Sequence, residues 1–180
     1  MLSFSAGSFD FGMTNSSKYT GNITYVPANT TLGFWGFSSS RYMVGNFTYG
    51  DNSVSGIADT GTTLLLLPGH VVQTYYRDVK GAQNSTEDAG GYVFPCNADL
   101  PSFTYTVSAA GSLNATEITI PGSYMNFAPA EMGMGSCYGA LQSSDGFGVN
   151  IYGDVALKAA YVVFKGGDTP ELGVASKNLG

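Results

Sequence analysis

The sequence predicts a mostly β domain with one main helix and one or two short helices. Of its 180 residues, 25 are Gly, 12 are Tyr and 11 are Phe. Glycine permits the positive φ angles of tight turns, and aromatic or β-branched side chains pack well on a pleated sheet. Only one long segment carries a helical period of apolar residues. Because the chain has neither an internal repeat nor a linker, we expect a single domain over residues 1–180.

Strands are expected on both sides of a turn at Asp59. Apolar residues alternate there with Ser, Thr and Gly, a pattern typical of strands. The strands expected up to this point and just beyond it are residues 4–12, 19–27, 34–37, 42–45, 54–58 and 62–67. Residues 34–37 and 42–45 lie close together in the sequence and are predicted to pair as a hairpin.

The main helix is expected to follow Pro68. Five apolar residues recur at helical spacing and form one stripe: Val71, Val72, Tyr75, Tyr76 and Val79. Pro68 suits the first turn because its missing N–H has no helical partner there, and Gly81 suits the exit. A short helix over residues 155–159 is predicted, with Asp154 as its N-cap.

Strands resume after a polar loop at residues 81–90. We expect them at residues 91–94, 103–107, 117–120, 147–152, 161–164 and 172–175. Residues 132–135 are predicted to form a loop before Cys137.

Charge and hydropathy exclude two classes of partner. With 13 acidic and 7 basic residues the net charge is −6, and no basic run could neutralise a phosphate backbone, so no nucleic-acid partner is expected. No apolar stretch approaches the roughly 20 residues of a membrane helix, so no membrane partner is expected. The acidic balance suits an environment below neutral pH.

The residue inventory excludes several kinds of enzyme. His70 is the only histidine, which argues against Ser-His-Asp and Cys-His catalysis and against His-rich metal sites. No glycine-rich phosphate loop is present. We therefore expect neither a cofactor nor a metal.

Six N-x-S/T sequons indicate a secreted, extracellular glycoprotein. Their asparagines are Asn15, Asn22, Asn29, Asn46, Asn84 and Asn114. In a secreted chain a disulfide between Cys96 and Cys137 is favoured over two buried thiols, since their spacing fits no zinc or redox motif. The first residues lack a signal-peptide pattern, so Met1 is expected to begin a fragment.

The segment around Asp59 carries the chemistry. A carboxylate on a turn between two apolar strands is unusual, because burying a charge is costly unless it is hydrogen-bonded. Gly61 lets a backbone N–H approach the carboxylate, and Thr62 offers a hydroxyl. An isolated D-T-G tripeptide is a weak signal, but its setting in GIADTGTTLLLLP makes it strong.

This turn and five other segments resemble the pepsin family of aspartic proteases, in particular its fungal, endothiapepsin-like branch. The other segments are residues 8–12 (SFDFG), 19–25 (YTGNITY), 33–35 (GFW), 91–96 (GYVFPC) and 150–158 (NIYGDVALK). The resemblance implies the C-terminal lobe of the bilobal pepsin-like acid protease fold, with the N-terminal lobe absent from this chain. It also places Cys96 in the disulfide of that lobe.

The resemblance implies a role for each residue of the turn. Asp59 would be one of two aspartates that share a proton and activate the attacking water, and Thr60 would reach across to the partner lobe. Gly61 and Thr62 would bind substrate, and Thr62 would also hydrogen-bond Asp59. Substrate subsites would be lined by Ile57, Thr63, Leu66, Phe147, Val149 and Ile151, although about half of these could be core residues. For Asp154, a helix cap is favoured over a catalytic group.

The chain departs from the family in having one D-T-G turn where the enzyme needs two. Residues 49–51 imitate the family's flap sequence, but they precede Asp59, so we interpret them as a strand end and turn. One hypothesis is half of an aspartic endopeptidase site, cleaving polypeptides at acidic pH once paired with an N-terminal lobe or a second copy, and inhibited by pepstatin-type compounds. The alternative is a non-catalytic pepsin-fold binding module or an inert isolated lobe.

Overall fold

The computed structural model describes residues 7–50, 52–85, 90–108, 115–130 and 135–179. The strands are β1 (Thr20–Pro27), β2 (Trp35–Phe37), β3 (Arg41–Val44), β4 (Phe47–Gly50), β5 (Gly56–Ala58), β6 (Leu65–Leu67), β7 (Gln83–Ser85), β8 (Gly91–Pro95), β9 (Phe103–Ser108), β10 (Ala115–Ile120), β11 (Asn126–Pro129), β12 (Ser136–Gly139), β13 (Leu141–Ser143), β14 (Ile151–Tyr152), β15 (Ala160–Lys165) and β16 (Glu171–Ser176). The α-helices are α1 (Gly69–Tyr76), α2 (Gly122–Met125) and α3 (Asp154–Leu157), and single 3-10 turns lie at Ser16–Lys18 and Asn52–Val54. The predicted mostly β fold with one main helix is confirmed.

The strands form four sheets. Three are antiparallel, with strand orders β1-β16-β15, β10-β9-β3-β4 and β11-β12-β8-β7. The fourth is mixed, with the order β13-β6-β14-β5-β2. In this mixed sheet β14 runs parallel to β5 and antiparallel to β6. The Asp59 turn joins β5 to β6, so the two strands that flank the turn are held apart by β14.

The core is rich in aromatic residues whose hydroxyls are satisfied. The stripe of α1 is buried, and its Tyr75 and Tyr76 hydroxyls donate to the backbone oxygens of Pro101 (2.7 Å) and Leu141 (3.0 Å). A disulfide joins Cys96, just after β8, to Cys137 in β12. Within the described ranges, none of the helices has the length and apolar character needed to cross a membrane.

The predicted hairpin between residues 34–37 and 42–45 is wrong. Instead, β2 pairs with β5, and β3 pairs with β4 through the two-residue loop Gly45-Asn46. Gly45 has a φ of +55°, which a tight two-residue hairpin turn requires and a side chain resists. The Gly-Asn signal was present in the sequence and specified the correct hairpin.

The predicted strand over residues 4–12 is also wrong for its described part. Residues 7–12 form no strand, and Phe9 and Phe11 are 80% and 88% exposed. A strand is stabilised by its ladder of hydrogen bonds, and no described strand pairs with this segment.

Several element ends differ from the prediction. The main helix ends at Tyr76, and Val79 is buried in a turn that follows it. Asp154 is the first residue of α3; the N-cap is Gly153, and no side-chain cap bond is made. Of the strand expected at residues 147–152, only β14 forms, because the preceding residues make a turn in which Gly146 and Gly148 have positive φ. Part of the loop predicted at residues 81–90 is instead β7, which pairs with β8. Residues 86–89 of that loop and residues 132–134 of the other predicted loop lie outside the described residues.

The buried tyrosines predict alkaline instability. Burial raises the pKa of the phenols of Tyr75, Tyr76, Tyr105 and Tyr152 above their ordinary value of about 10. The folded state thus holds these protons more tightly than the unfolded state. Their contribution to stability is complete below about pH 10 and is lost as the pH rises further.

We therefore expect these four phenols to ionise only as the chain unfolds in alkali. Tyrosinate absorbance and circular dichroism, followed together against pH, should share a late transition. Tyr105→Phe should reduce the amplitude of that transition and leave the earlier absorbance change intact. Ionisation of all 12 tyrosines while the fold persists would contradict this expectation.

Candidate active site

Both carboxylate oxygens of Asp59 are held within its own turn. The Gly61 backbone N–H donates to Oδ1 at 2.9 Å, and the Thr62 hydroxyl donates to Oδ2 at 2.7 Å. Asp59 itself is half-buried at the end of β5. The carboxylate is therefore fixed in orientation by two donors, and each of its oxygens accepts one hydrogen bond.

The segment from β14 into α3 holds the Asp59 turn through backbone hydrogen bonds. The Asp59 N–H donates to the Tyr152 carbonyl at 3.1 Å. Three successive N–H groups then donate to the carbonyls of the three residues after Gly61. Gly153 donates to Leu64 (3.2 Å), Asp154 to Thr62 (2.8 Å) and Val155 to Thr63 (3.0 Å). We call the segment Tyr152–Val155 the clamp. It uses the unpaired amides of a helix start to hold the chain leaving Asp59.

Gly153 is required at the centre of the clamp. A Cβ built on it would overlap the carbonyl oxygens of Thr62 and Leu64. Its φ of −84° is open to any residue, so this requirement is one of space and not of backbone conformation.

Asn150 holds the chain that enters the site. Its carbonyl accepts from the Ile57 N–H at 3.0 Å, and its side-chain amide donates to the carbonyls of Ser53 and Ser55. The Ser144 hydroxyl donates to Asn150 Oδ1 at 2.7 Å. Sequence reasoning missed this residue, although an Asn at the start of the resembling segment NIYGD was a signal for it.

The residues expected at the site have unequal exposure. Thr60, Gly61 and Thr63 are exposed. Among the described residues, no hydrogen bond is made by the Thr60 side chain. The outward part of the turn therefore faces away from the core, while its carboxylate is held by internal donors.

The apolar positions divide into two groups. Ile151 lies between Ile57 and Leu66 on neighbouring strands, where it is half-buried and they are only 7% and 8% exposed. Phe147 and Val149 lie in the turn before β14; Phe147 is 64% exposed, and Val149 lines a polar cleft that does not include Asp59. The first group is continuous with the Asp59 strands, and the second is not.

Within the described ranges, neither histidine-based catalysis nor a metal site has a suitable cluster of residues. His70 is exposed, with its Nε2 3.4 Å from the Ser53 hydroxyl. No group of three or more His, Cys, Asp or Glu residues there is arranged to hold a metal ion.

Comparison with known proteins gives a consistent result. The family model for eukaryotic aspartyl proteases matches residues 3–177. The chain is 53% identical over 171 residues to endothiapepsin of Cryphonectria parasitica, covering 95% of this chain and 39% of that protein. It is 50% identical over 173 residues to podosporapepsin of Podospora anserina, and 48% identical over 169 residues to penicillopepsin-3 of Penicillium janthinellum. These alignments cover 96% and 94% of the chain, but only 39% and 41% of the two proteins.

The clamp predicts that Gly153→Ala is strongly destabilising. The added methyl displaces the carbonyls of Thr62 and Leu64, so we expect a loss of about 2–3 kcal/mol in the free energy of unfolding. Denaturant unfolding measures the loss, and hydrogen exchange should show faster exchange at the Asp154 and Val155 amides. Gly166→Ala, where a Cβ meets nothing within 4 Å, is the matched control and should change stability by less than about 0.5 kcal/mol. Equal stability of the two variants would show that the clamp is not tight.

Proposed function

Because this chain belongs to the eukaryotic aspartyl protease family, we propose that it supplies one half of an acid endopeptidase active site, with Asp59 as its catalytic carboxylate. The observation that carries the proposal is the Asp59 turn, in which two donors orient the carboxylate while the neighbouring backbone stays exposed. The Gly61 bond alone is typical of a structural Asx turn. The second donor, Thr62, fixes the carboxylate in one orientation, as a group that must activate water at a defined position requires.

The reaction needs a second carboxylate. In aspartic proteases two closely spaced carboxyl groups share one proton, because both cannot be ionised at that separation. One accepts a proton from the attacking water, while the pair retains the proton that the substrate carbonyl requires. The sequence contains D-T-G once, and the chain spans about 40% of the length of the curated relatives it matches. The second turn comes from an N-terminal lobe or from a second copy, and this chain acts as the C-terminal lobe.

The surface beside Asp59 supports such pairing. Trp35 stands opposite Ala58, the residue before Asp59, and its ring packs edge-on against Phe164 of β15 at 5.2 Å between centroids. Phe164 is 38% exposed. β15 is an edge strand that pairs with β16 without any register shift, so its other side offers a regular ladder to a partner. Thr60 would then hydrogen-bond across the same interface.

The proposed substrate is a polypeptide bound along the exposed backbone of the turn. Gly61 and Thr62 would contact its main chain, and Thr63, Phe147, Val149 and Ile151 would contact its side chains. Ile57 and Leu66 would support these contacts from within the sheet. An acidic, extracellular setting, reached by secretion, completes the proposal.

The test is a concentration series of cleavage rates. The chain is incubated with acid-denatured globin at acidic pH, alone and with the N-terminal lobe of a fungal relative. Without that lobe, the rate should rise more steeply than linearly with concentration, because the competent species is a pair. Asp59→Asn should abolish cleavage, whereas Asp168→Asn, the same change at an exposed turn, should not.

Two outcomes would contradict the proposal. If the chain sediments as a monomer and its Asp59-dependent cleavage rate is linear in protein concentration, pairing is unnecessary. A folded chain that stays inactive at every concentration and with the added lobe would favour the binding-module alternative.

A further inference from the structure

Exposed sequon asparagines mark one edge of each of the four sheets. Asn22 lies within β1 and Asn84 within β7. Asn46 immediately precedes β4 in the β3–β4 hairpin. Asn29 forms a bridge with Gly36 on the side of β2 away from β5, where it pairs the outward N–H and carbonyl of Gly36 at 3.0 and 2.8 Å. β1, β7, β4 and β2 are each terminal in their sheets.

No strand inside a described sheet contains a sequon asparagine. Asn114 directly precedes β10, another edge strand, but it lies outside the described residues. Asn15 is the exception: it is half-buried before the first 3-10 turn, and its Oδ1 accepts from both the N–H and the hydroxyl of Ser17.

The four marked strands lack the charges that usually protect open edges. An exposed edge presents unpaired backbone groups that favour pairing with another chain, and soluble proteins commonly place Lys or another charge there. β1, β2, β4 and β7 contain no Lys, Arg, Asp or Glu. Only 11% of the chain is charged, against about 25% in typical domains. Their protection comes instead from shortness and irregularity: β2 and β7 have three residues each, β4 has four, and β1 shifts register between Thr20 and Thr24. A bulky polar group at each edge would add to that protection.

The marked asparagines are placed where a bulky group fits. Asn22, Asn29, Asn46 and Asn84 are all exposed. Phe47, the residue after Asn46, is 69% exposed on edge strand β4. A large polar group on Asn46 would cover both this ring and the open side of the strand.

We propose that Asn22, Asn29, Asn46 and Asn84 carry N-linked glycans that close one edge of each sheet against edge-to-edge association. In the transfer, the asparagine Nδ2 attacks the anomeric carbon of a polyprenyl-diphosphate-linked oligosaccharide. A C–N bond forms, the C–O bond to the diphosphate breaks, polyprenyl diphosphate leaves and the amide loses one proton. The glycan is bulky and strongly hydrated, so it blocks the approach of a second strand. This proposal rests on the secretion included in the proposed function.

The first test maps the modification. The chain is secreted from a eukaryotic host and treated with an amidase that releases N-glycans in ¹⁸O water, which converts each occupied Asn to labelled Asp. Peptide mass analysis should find the label at all four positions. Unmodified asparagines at these positions overturn the proposal.

The second test measures what the glycans do. Deglycosylation of the folded protein, with circular dichroism as a check on folding, should shift its sedimentation towards larger species. Phe47→Lys, which places a charge on the β4 edge, should reverse part of that shift. Unchanged sedimentation after complete deglycosylation overturns the protective role.

A matched pair of variants isolates a single glycan. Thr48→Ala removes the Asn46 sequon and keeps the asparagine, whereas Thr48→Ser keeps both. Only Thr48→Ala should associate more than the parent chain, and equal association of the two variants contradicts the role assigned to Asn46.

None of these three tests depends on proteolysis. An active but unmodified protein would overturn this proposal alone, and a modified but inactive one would overturn the proposed function alone.

Discussion

The structure depends on the clamp, in which three successive N–H groups hold three carbonyls just beyond Asp59. Gly153, Asp154 and Val155 donate to the segment between the turn and β6, while the carbonyl of Tyr152 accepts from the Asp59 N–H. Because the clamp takes its donors from the start of α3, it fixes the turn without using any side chain. The hydroxyl of Thr62 and the amide of Gly61 remain for the carboxylate. The geometry of the Asp59 turn and the topology of the mixed sheet thus have one common cause.

The two proposals assign different roles to the edge strands: β1, β2, β4 and β7 would be kept from pairing, and β15 would pair with a partner. One edge strand of each sheet carries or adjoins an exposed sequon and lacks charge. β15, like the edge strands β11 and β13, contains no sequon. What distinguishes β15 is its contact through Phe164 with the Trp35 ring, next to the Asp59 strand. Asn15 contacts β15 through its N–H, which donates to the Tyr161 hydroxyl, while its side chain accepts from Ser17. An edge strand beside the Asp59 strand is what the proposed two-part site requires.

Sequence reasoning was most successful where the signal is local. The mostly β class, the helix stripe after Pro68 and the Asp59 turn all follow from periods and turn residues within a few positions. Strand pairing was not recovered, because β2 meets β5 some twenty residues away while β3 turns back at Gly45. Residues 7–12 carry a strand pattern but have no described partner strand. Asn150 was missed because its role depends on carbonyls almost a hundred residues away.

The central claim is that one chain holds half a site, and inhibitor stoichiometry tests it most directly. Native mass spectrometry with a pepstatin-type inhibitor counts the chains in each inhibitor-bound species. The account predicts one inhibitor per pair, either two copies of this chain or this chain with an N-terminal lobe, and none on the single chain. A single chain that carries one inhibitor, and loses it in the Asp59→Asn variant, would contradict the account.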